Sequence, residues 1–133
     1  MKTASHIAAG LLGLAFTAFG LMVLLKLGPT PPAPPEGTPA GHFMAAFGPT
    51  GYMTFIKVLE VLGGILVAIP RTRNLGLLIL GPIVVNILAF HILILKCAMI
   101  LDPVLIVVCL LTAFVLWTER RAFLALVFRI PNL

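Results

Sequence analysis

Four long apolar segments, separated by short stretches of proline, glycine and charged residues, form the main pattern of hydrophobic and polar positions along the chain. They cover approximately residues 5–27, 50–69, 75–95 and 103–118. A helix of roughly 20 apolar residues is long enough to cross the hydrocarbon core of a bilayer. The pattern therefore predicts an all-α fold, an integral membrane four-helix bundle that forms one membrane domain over residues 1–133.

The boundaries of these segments carry helix start and stop signals. Asp102 followed by Pro103 is an N-cap with proline at the first helical position, so the fourth helix should start there. Residues 28–48 are rich in proline, which predicts a polyproline-like loop or a loop packed over the mouth of the bundle, with a short interfacial helix over residues 43–47. The tail over residues 122–133 should extend the fourth helix or lie in the membrane interface.

The lysines and arginines between the segments predict the orientation of the chain, because short cytoplasmic loops carry an excess of positive charge. If the apolar segments cross the membrane in turn, one side holds Lys2, Arg71, Arg73, Arg120, Arg121 and Arg129, and the other side holds Lys26 and Lys96. Both termini are then cytoplasmic and the loop over residues 28–48 is external. We expect a multi-pass protein of a bacterial cytoplasmic (inner) membrane, with the lipid bilayer as its first partner.

Composition supports a membrane protein and excludes other classes. The chain is 61% hydrophobic and 10% charged, and its mean hydropathy is +1.19. The net charge of +5 comes from residues scattered at segment ends, without a basic stripe interleaved with aromatic residues, so we expect no nucleic-acid partner. Cys97 and Cys109 lack a CxxC spacing, which argues against thiol redox chemistry, although a structural disulfide between them stays open.

The second segment carries a lysine and a glutamate in its apolar interior. Charged groups are expensive in hydrocarbon, so Lys57 and Glu60 should face protein or water. Their spacing of three places them on one helical face, where they can neutralise each other. Gly64 and Ala68 continue that face with small residues, which suits close approach of another helix.

The first and third segments supply the other features of the predicted interior. In the third, Pro82 is expected to kink the helix, and by depth Asn86 and His91 overlap with Lys57 and Glu60 in the outer half of the membrane. We expect Asn86 to reach Glu60 or Lys57. One histidine without a carboxylate at ligand spacing predicts no metal site. In the first segment, small residues recur along one side at helical spacing, at Ala9, Gly13, Thr17 and Gly20.

Two interpretations of the four polar residues stay open. In the first, Lys57 and Glu60 form a self-neutralised structural pair, and Asn86 supplies an interhelical hydrogen bond. In the second, the residues Lys57, Glu60, Asn86 and His91 line a small cavity, open to the outside, for a polar head group, a quinone carbonyl or a proton. Neither interpretation assigns a catalytic residue.

The run GHFMAAFGPTGYMTFIKVLEVLGGILVAIPR, followed by LGLLILGPIVVNILAFHI, resembles the DoxX-like family of small bacterial four-helix membrane proteins. The resemblance depends most on a K-x-x-E pair and on PxxxN followed by FH, here Lys57, Glu60, Pro82, Asn86, Phe90 and His91. It implies a four-helix membrane bundle linked to redox complexes, since the family takes its name from a small subunit of a thiosulfate:quinone oxidoreductase.

Two functions follow as hypotheses. The first is a non-catalytic membrane subunit or anchor of a redox complex, with other membrane or redox subunits as partners and a quinone near Lys57 and His91. The alternative is a small proton- or cation-coupled transporter that uses Glu60. Four-span multidrug exporters carry their essential glutamate in the first span, where this chain has no acid, so we favour the subunit.

Overall fold

The computed structural model describes residues 1–129, and these residues contain helices and no strand. In chain order the α-helices are α1 (Lys2–Leu24), α2 (Pro39–Phe47), α3 (Tyr52–Ala68), α4 (Arg73–Ala89), α5 (Pro103–Thr118) and α6 (Arg120–Phe128). A 3₁₀ turn over Gly48–Thr50 joins α2 to α3, and a π-helical turn over Phe90–Ile94 continues α4. The predicted all-α class is confirmed for this part of the chain.

The described helices include two to four candidate membrane spans. Helix α1 and the continuous helix Arg73–Ile94 are each long and apolar enough to cross a bilayer. Helices α3 and α5 have 17 and 16 residues, and they reach the required length only together with α2 and α6. Those two pairs bend by 82° at Gly51 and by 66° at Glu119, so α2 and α6 turn away from the helices that they adjoin.

The four longer helices close into a ring in which α1 packs on α3 and α5, and α4 packs on the same two helices. Fully buried side chains from all four fill the centre, namely Ala9, Leu12, Val67, Leu80 and Val115. The outer faces carry large apolar side chains, and Leu14, Val85 and Leu110 are each about two-thirds exposed. An apolar outer surface of this extent on a folded chain indicates an apolar environment around it.

Helices α1 and α3 approach each other through the two small-residue faces that the sequence predicted. A Cβ atom on Gly13 would lie 2.8 Å from the Cβ of Ala68 and would collide with the carbonyl oxygen of Gly64. A Cβ on Gly64 would lie 2.6 Å from Oγ1 of Thr17. The contact therefore requires glycine on both helices, and it sets the distance between them.

Helix starts are partly as predicted. The predicted cap at Asp102 is confirmed, because its Oδ1 accepts hydrogen bonds from the amides of Val104 at 2.9 Å and Leu105 at 3.1 Å. The short helix α2 begins earlier than residue 43, since Thr38 caps it by accepting from the amide of Gly41 at 3.1 Å. Proline at its first position, Pro39, lacks the amide hydrogen that would otherwise be unpaired there.

Three further predictions concern Pro82, the two cysteines and the tail of the chain. Helix α4 runs through Pro82 in the α-helical form, and the helix widens only at the π turn, where the amide of Leu95 donates to the carbonyl of Phe90 at 3.0 Å. Both cysteines are free thiols, so the disulfide that the sequence left open is absent. The predicted tail over residues 122–133 does not continue α5 in a straight line. Its first part belongs to α6, a separate helix at 66° to α5, and residues 130–133 lie outside the described residues.

Candidate functional site

The salt bridge that the sequence predicted lies in the first half of α3. The Nζ atom of Lys57 donates to Oε2 of Glu60 at 2.8 Å and to Oε1 at 3.1 Å. Glu60 is 4% exposed, and the lysine side chain is 22% exposed. An ammonium carries three N–H donors, so one donor of Lys57 is left for another acceptor. The pair is thus neutral as a whole, buried on its acidic side and open on its basic side.

Two cavities meet at this pair. The first has a volume of about 300 Å³ and lies between α1, α3, α4 and α5, with Phe16, Phe19 and Asp102 among its lining residues. The second has a volume of about 360 Å³ and lies between α2, α3 and α4. The residues common to both are Lys57, Glu60, Ile87 and His91. Lys57 and His91 are therefore placed to contact a ligand in either cavity.

His91 lies in the π turn and is bonded to its own helix. Its Nδ1 atom lies 2.8 Å from the carbonyl oxygen of Ile87, and a carbonyl only accepts, so Nδ1 must carry the hydrogen. In the neutral ring Nε2 is then an acceptor. A neutral His91 therefore offers a ligand an acceptor, which suits a hydroxyl better than a carbonyl.

Asn86 does not make the contact that the sequence predicted. Its side chain is exposed and lines the second cavity, and the described residues contain no hydrogen bond from it to Lys57 or Glu60. The prediction is wrong because the carboxylate of Glu60 turns toward Lys57 on its own helix, and each of its oxygens accepts from that ammonium. The amide of Asn86 consequently faces the cavity with its hydrogen-bonding capacity unused by the pair.

Aromatic rings that sequence reasoning did not assign to the site line one side of the second cavity. Phe43 in α2 packs against Phe90 with a centroid distance of 5.2 Å and against Phe47 at 4.8 Å. Phe47 in turn packs against Tyr52 at 5.0 Å. The spacing of Phe43 and Phe47, one helical turn apart, was the available signal. These rings hold the external helix against α3 and α4, and they make the cavity mostly apolar.

A second polar cluster, which sequence reasoning missed, lies at the opposite end of the ring of helices. From the sequence, Arg73 served only to predict the orientation of the chain and His6 was not assigned to a site, yet Arg73 is 4% exposed. Its guanidinium lies 2.9 Å from Nδ1 of His6 and donates to Ser5 and Glu119 at 3.4 Å each. We call Ser5, His6, Arg73, Thr118 and Glu119 the inner cluster. All five lie near helix ends that the alternating direction of the helices brings to one end of the bundle. That connectivity could have predicted the cluster from the sequence.

Within the described residues, no group of three histidine, cysteine, aspartate or glutamate side chains is arranged to hold a metal ion. The polar groups around the two cavities are an ammonium, two carboxylates, an amide, an imidazole and a phenol in an apolar wall. Such a set can orient a ligand that both donates and accepts hydrogen bonds, and it can exchange protons with it.

Comparisons with known proteins give limited information about this chain. The chain is 37% identical over 75 residues to the uncharacterized protein YwoB of Bacillus subtilis (strain 168). The match covers 56% of this chain and 47% of YwoB, so the chain spans about half the length of this curated relative. No family model and no solved structure matches the chain. The resemblance to the DoxX-like family therefore stays a prediction from the quoted motifs.

Proposed function

We propose that the chain crosses a bacterial cytoplasmic membrane four times, with both termini in the cytoplasm. The apolar outer faces of the four longer helices support this placement, as does the concentration of arginines at the end that carries the inner cluster. Helix α3 would be about 26 Å long at 1.5 Å per residue, close to the roughly 30 Å of a hydrocarbon core. Helices α2 and α6 would then lie near the outer and inner interfaces, respectively.

We propose further that the chain is a non-catalytic subunit or anchor of a redox complex. In this proposal the second cavity, between α2, α3 and α4, holds a quinone head group. The observation that supports this best is the cavity of about 360 Å³, which combines an aromatic lining with polar groups that include Lys57, Glu60, Asn86 and His91. Ligand sites typically have such an apolar wall with a few convergent polar groups. A quinone head group is a flat, mostly apolar ring with two oxygens, so it matches both parts of the lining.

The polar groups divide into donors and an acceptor that suit the two forms of such a ligand. The unused N–H of Lys57 and the amide of Asn86 can donate to a quinone carbonyl. Nε2 of a neutral His91 can accept from a quinol hydroxyl, because its Nδ1 donates to Ile87. A bound quinone would supply electron and proton transfer, and the chain's own residues would bind and orient it. Five residues of the DoxX-like motif are among those that line this cavity, namely Lys57, Glu60, Asn86, Phe90 and His91.

The transporter hypothesis has less support from the same geometry. A proton- or cation-coupled transporter needs a carboxylate that can load and release its ion. Both oxygens of Glu60 are occupied by Lys57, so an incoming cation would first have to displace a tethered ammonium. We therefore retain the subunit with a quinone site as the proposed function.

The test is binding of decylubiquinone and of a menaquinone analogue, each in its oxidised and its reduced form, to the full chain in lipid nanodiscs. We expect Asn86→Leu to weaken binding of the oxidised quinone and His91→Phe to weaken binding of the reduced quinol, each about tenfold, the cost of roughly one good hydrogen bond inside an apolar site. Lys96→Met is the matched control, because Lys96 is exposed at the same end and lines neither cavity. Thermal unfolding of each variant reports whether the fold is intact. Equal binding by all variants with unchanged unfolding temperatures would reject the quinone site.

A further inference from the structure

The inner cluster contains a chain of hydrogen bonds with a single direction. Oγ1 of Thr118 donates to the carbonyl of Val115 at 2.7 Å, so toward Ser5, at 3.0 Å, it can only accept. Ser5 therefore donates to Thr118, and it accepts from the guanidinium of Arg73 at 3.4 Å. The chain ties the start of α4 to the start of α1 and the end of α5. The hydroxyl hydrogens of Ser5 and Thr118 are both donated within this chain of hydrogen bonds.

A cavity of about 470 Å³ lies beside this cluster. Its side chains with charge or hydrogen-bonding capacity are Lys2, Ser5, His6, Arg73, Thr118, Glu119 and Arg120. The cations Lys2, Arg73 and Arg120 face a single carboxylate, which already accepts from Arg73. The cavity is thus positively charged, although it lies at the end of an otherwise apolar bundle.

Nearly all the hydrogen-bonding capacity left in this cavity consists of donors. A guanidinium only donates, so Nδ1 of His6 must accept from Arg73 at 2.9 Å, which leaves Nε2 of a neutral His6 as the donor. The guanidinium of Arg120 is held in place, since it donates to the carbonyl of Trp117 at 2.8 Å and lies 4.5 Å from the centre of the Trp117 ring. Among residues 1–129, its other N–H groups and the ammonium of Lys2 make no hydrogen bond to a side chain, so they can donate to a ligand.

We propose that this cavity binds a phosphate group. A phosphate supplies several strong acceptor oxygens and negative charge, which is what a positively charged lining of donors lacks. In the proposed topology the cavity lies at the cytoplasmic interface, where the phosphodiesters of anionic lipids are found. The assignment of the phosphate group to a lipid therefore depends on the proposed topology, whereas a site for free phosphate does not. Neither assignment depends on the proposed quinone site.

The experiment compares two double variants of the full chain that lose the same charge at the same end. Lys2→Gln with Arg120→Gln removes two cavity cations, and Arg71→Gln with Arg121→Gln removes two exposed arginines that do not line the cavity. Retention of phosphatidylglycerol against phosphatidylcholine is measured by native mass spectrometry. Binding of inorganic phosphate is measured by calorimetry in phosphatidylcholine nanodiscs.

Both variants should lose the non-specific attraction to an anionic surface, which is about fivefold per cation. We expect the cavity variant to bind phosphatidylglycerol at least tenfold more weakly than the matched variant, because it alone also loses direct charge-assisted hydrogen bonds to the phosphate. Phosphate binding that depends on Lys2 and Arg120 without lipid selectivity would support the site and assign it to free phosphate. A chain with a different topology would still show that dependence, so failure of the topology and failure of the site are distinguishable. Equal losses in both variants, or no binding of either probe, would overturn the proposal.

Discussion

At the scale of single residues, the energetics of the Lys57 and Glu60 pair decide how the two should be tested. Removing charges from water costs several kcal/mol per ion, and close pairing recovers much of that cost. Glu60 is almost fully buried and receives both of its hydrogen bonds from Lys57. Each residue therefore depends on the other, and the pair as a unit need not stabilise the fold.

The first prediction is that the two residues act as a unit in stability. Glu60→Gln should lower the free energy of unfolding because it leaves an unpaired ammonium, and Lys57→Met should do so because it leaves a buried carboxylate. Breaking a buried pair typically costs about 3–5 kcal/mol in soluble proteins. The double variant should recover most of that loss. Thermal unfolding in one detergent measures all four proteins.

The same variants distinguish a structural role of Lys57 and Glu60 from a role in ligand binding. Losses that add up in the double variant would show that the residues are not partners. A double variant of normal stability that no longer binds a quinone analogue would show that the pair serves binding, since stability and function then conflict at those positions. A double variant that is stable and retains the ligand would leave a purely structural pair.

Residues of the site were predictable from sequence only where a single helix determines the contact. The spacing of Lys57 and Glu60 predicts their salt bridge, because residues three apart share a helical face. The positions of Asn86 and Arg73 depend on how helices rotate relative to one another, which no periodicity specifies. Arg73, in a short connection, therefore served only to predict the orientation, although it is buried against Ser5 and His6.

At the scale of elements, the contact of α1 with α3 follows from small residues that the sequence displays. Gly13 and Gly64 lie against each other's backbones, so neither accepts a side chain without movement of a helix. The sequence also marks both junctions, since proline and glycine precede α3 and three consecutive charged residues follow the end of α5. It could not predict the bend angles at Gly51 and Glu119, because these depend on backbone geometry, such as the φ of 79° at Gly51.

The second prediction compares two glycines of α1. Gly13→Ala should destabilise the protein by about 1–3 kcal/mol, the usual cost of overpacking, because its Cβ would meet Gly64 and Ala68. Gly10→Ala is the matched control, since a Cβ there meets nothing within 4 Å. It should be neutral or slightly stabilising, because alanine favours the helix. Similar unfolding temperatures for both variants would contradict the packing of α1 on α3.

At the scale of the whole molecule, the two polar regions lie at opposite ends of one ring of helices. One end has the paired cavities under the aromatic rings of α2, and the other end has the cluster around Arg73. The apolar core between them contains Leu12, Val67 and Leu80, all fully buried. If the chain spans a membrane, the two ends face different compartments, so the topology decides what each end can meet.

The last prediction concerns that topology and uses the chain's own thiols. Cys97 is exposed in the connection between α4 and α5, and Cys109 lies within α5. In spheroplasts, a membrane-impermeant maleimide should label Cys97 from outside and leave Cys109 unlabelled, because the latter would lie at membrane depth. In a background with both cysteines replaced by alanine, Arg71→Cys should be labelled only after permeabilisation, since Arg71 is exposed in the connection between α3 and α4. Labelling of Cys97 and of the cysteine at position 71 from the same side would contradict the passage of α4 through the membrane. It would also place the outer cavities and the inner cluster in contact with one compartment, which the proposed function does not allow.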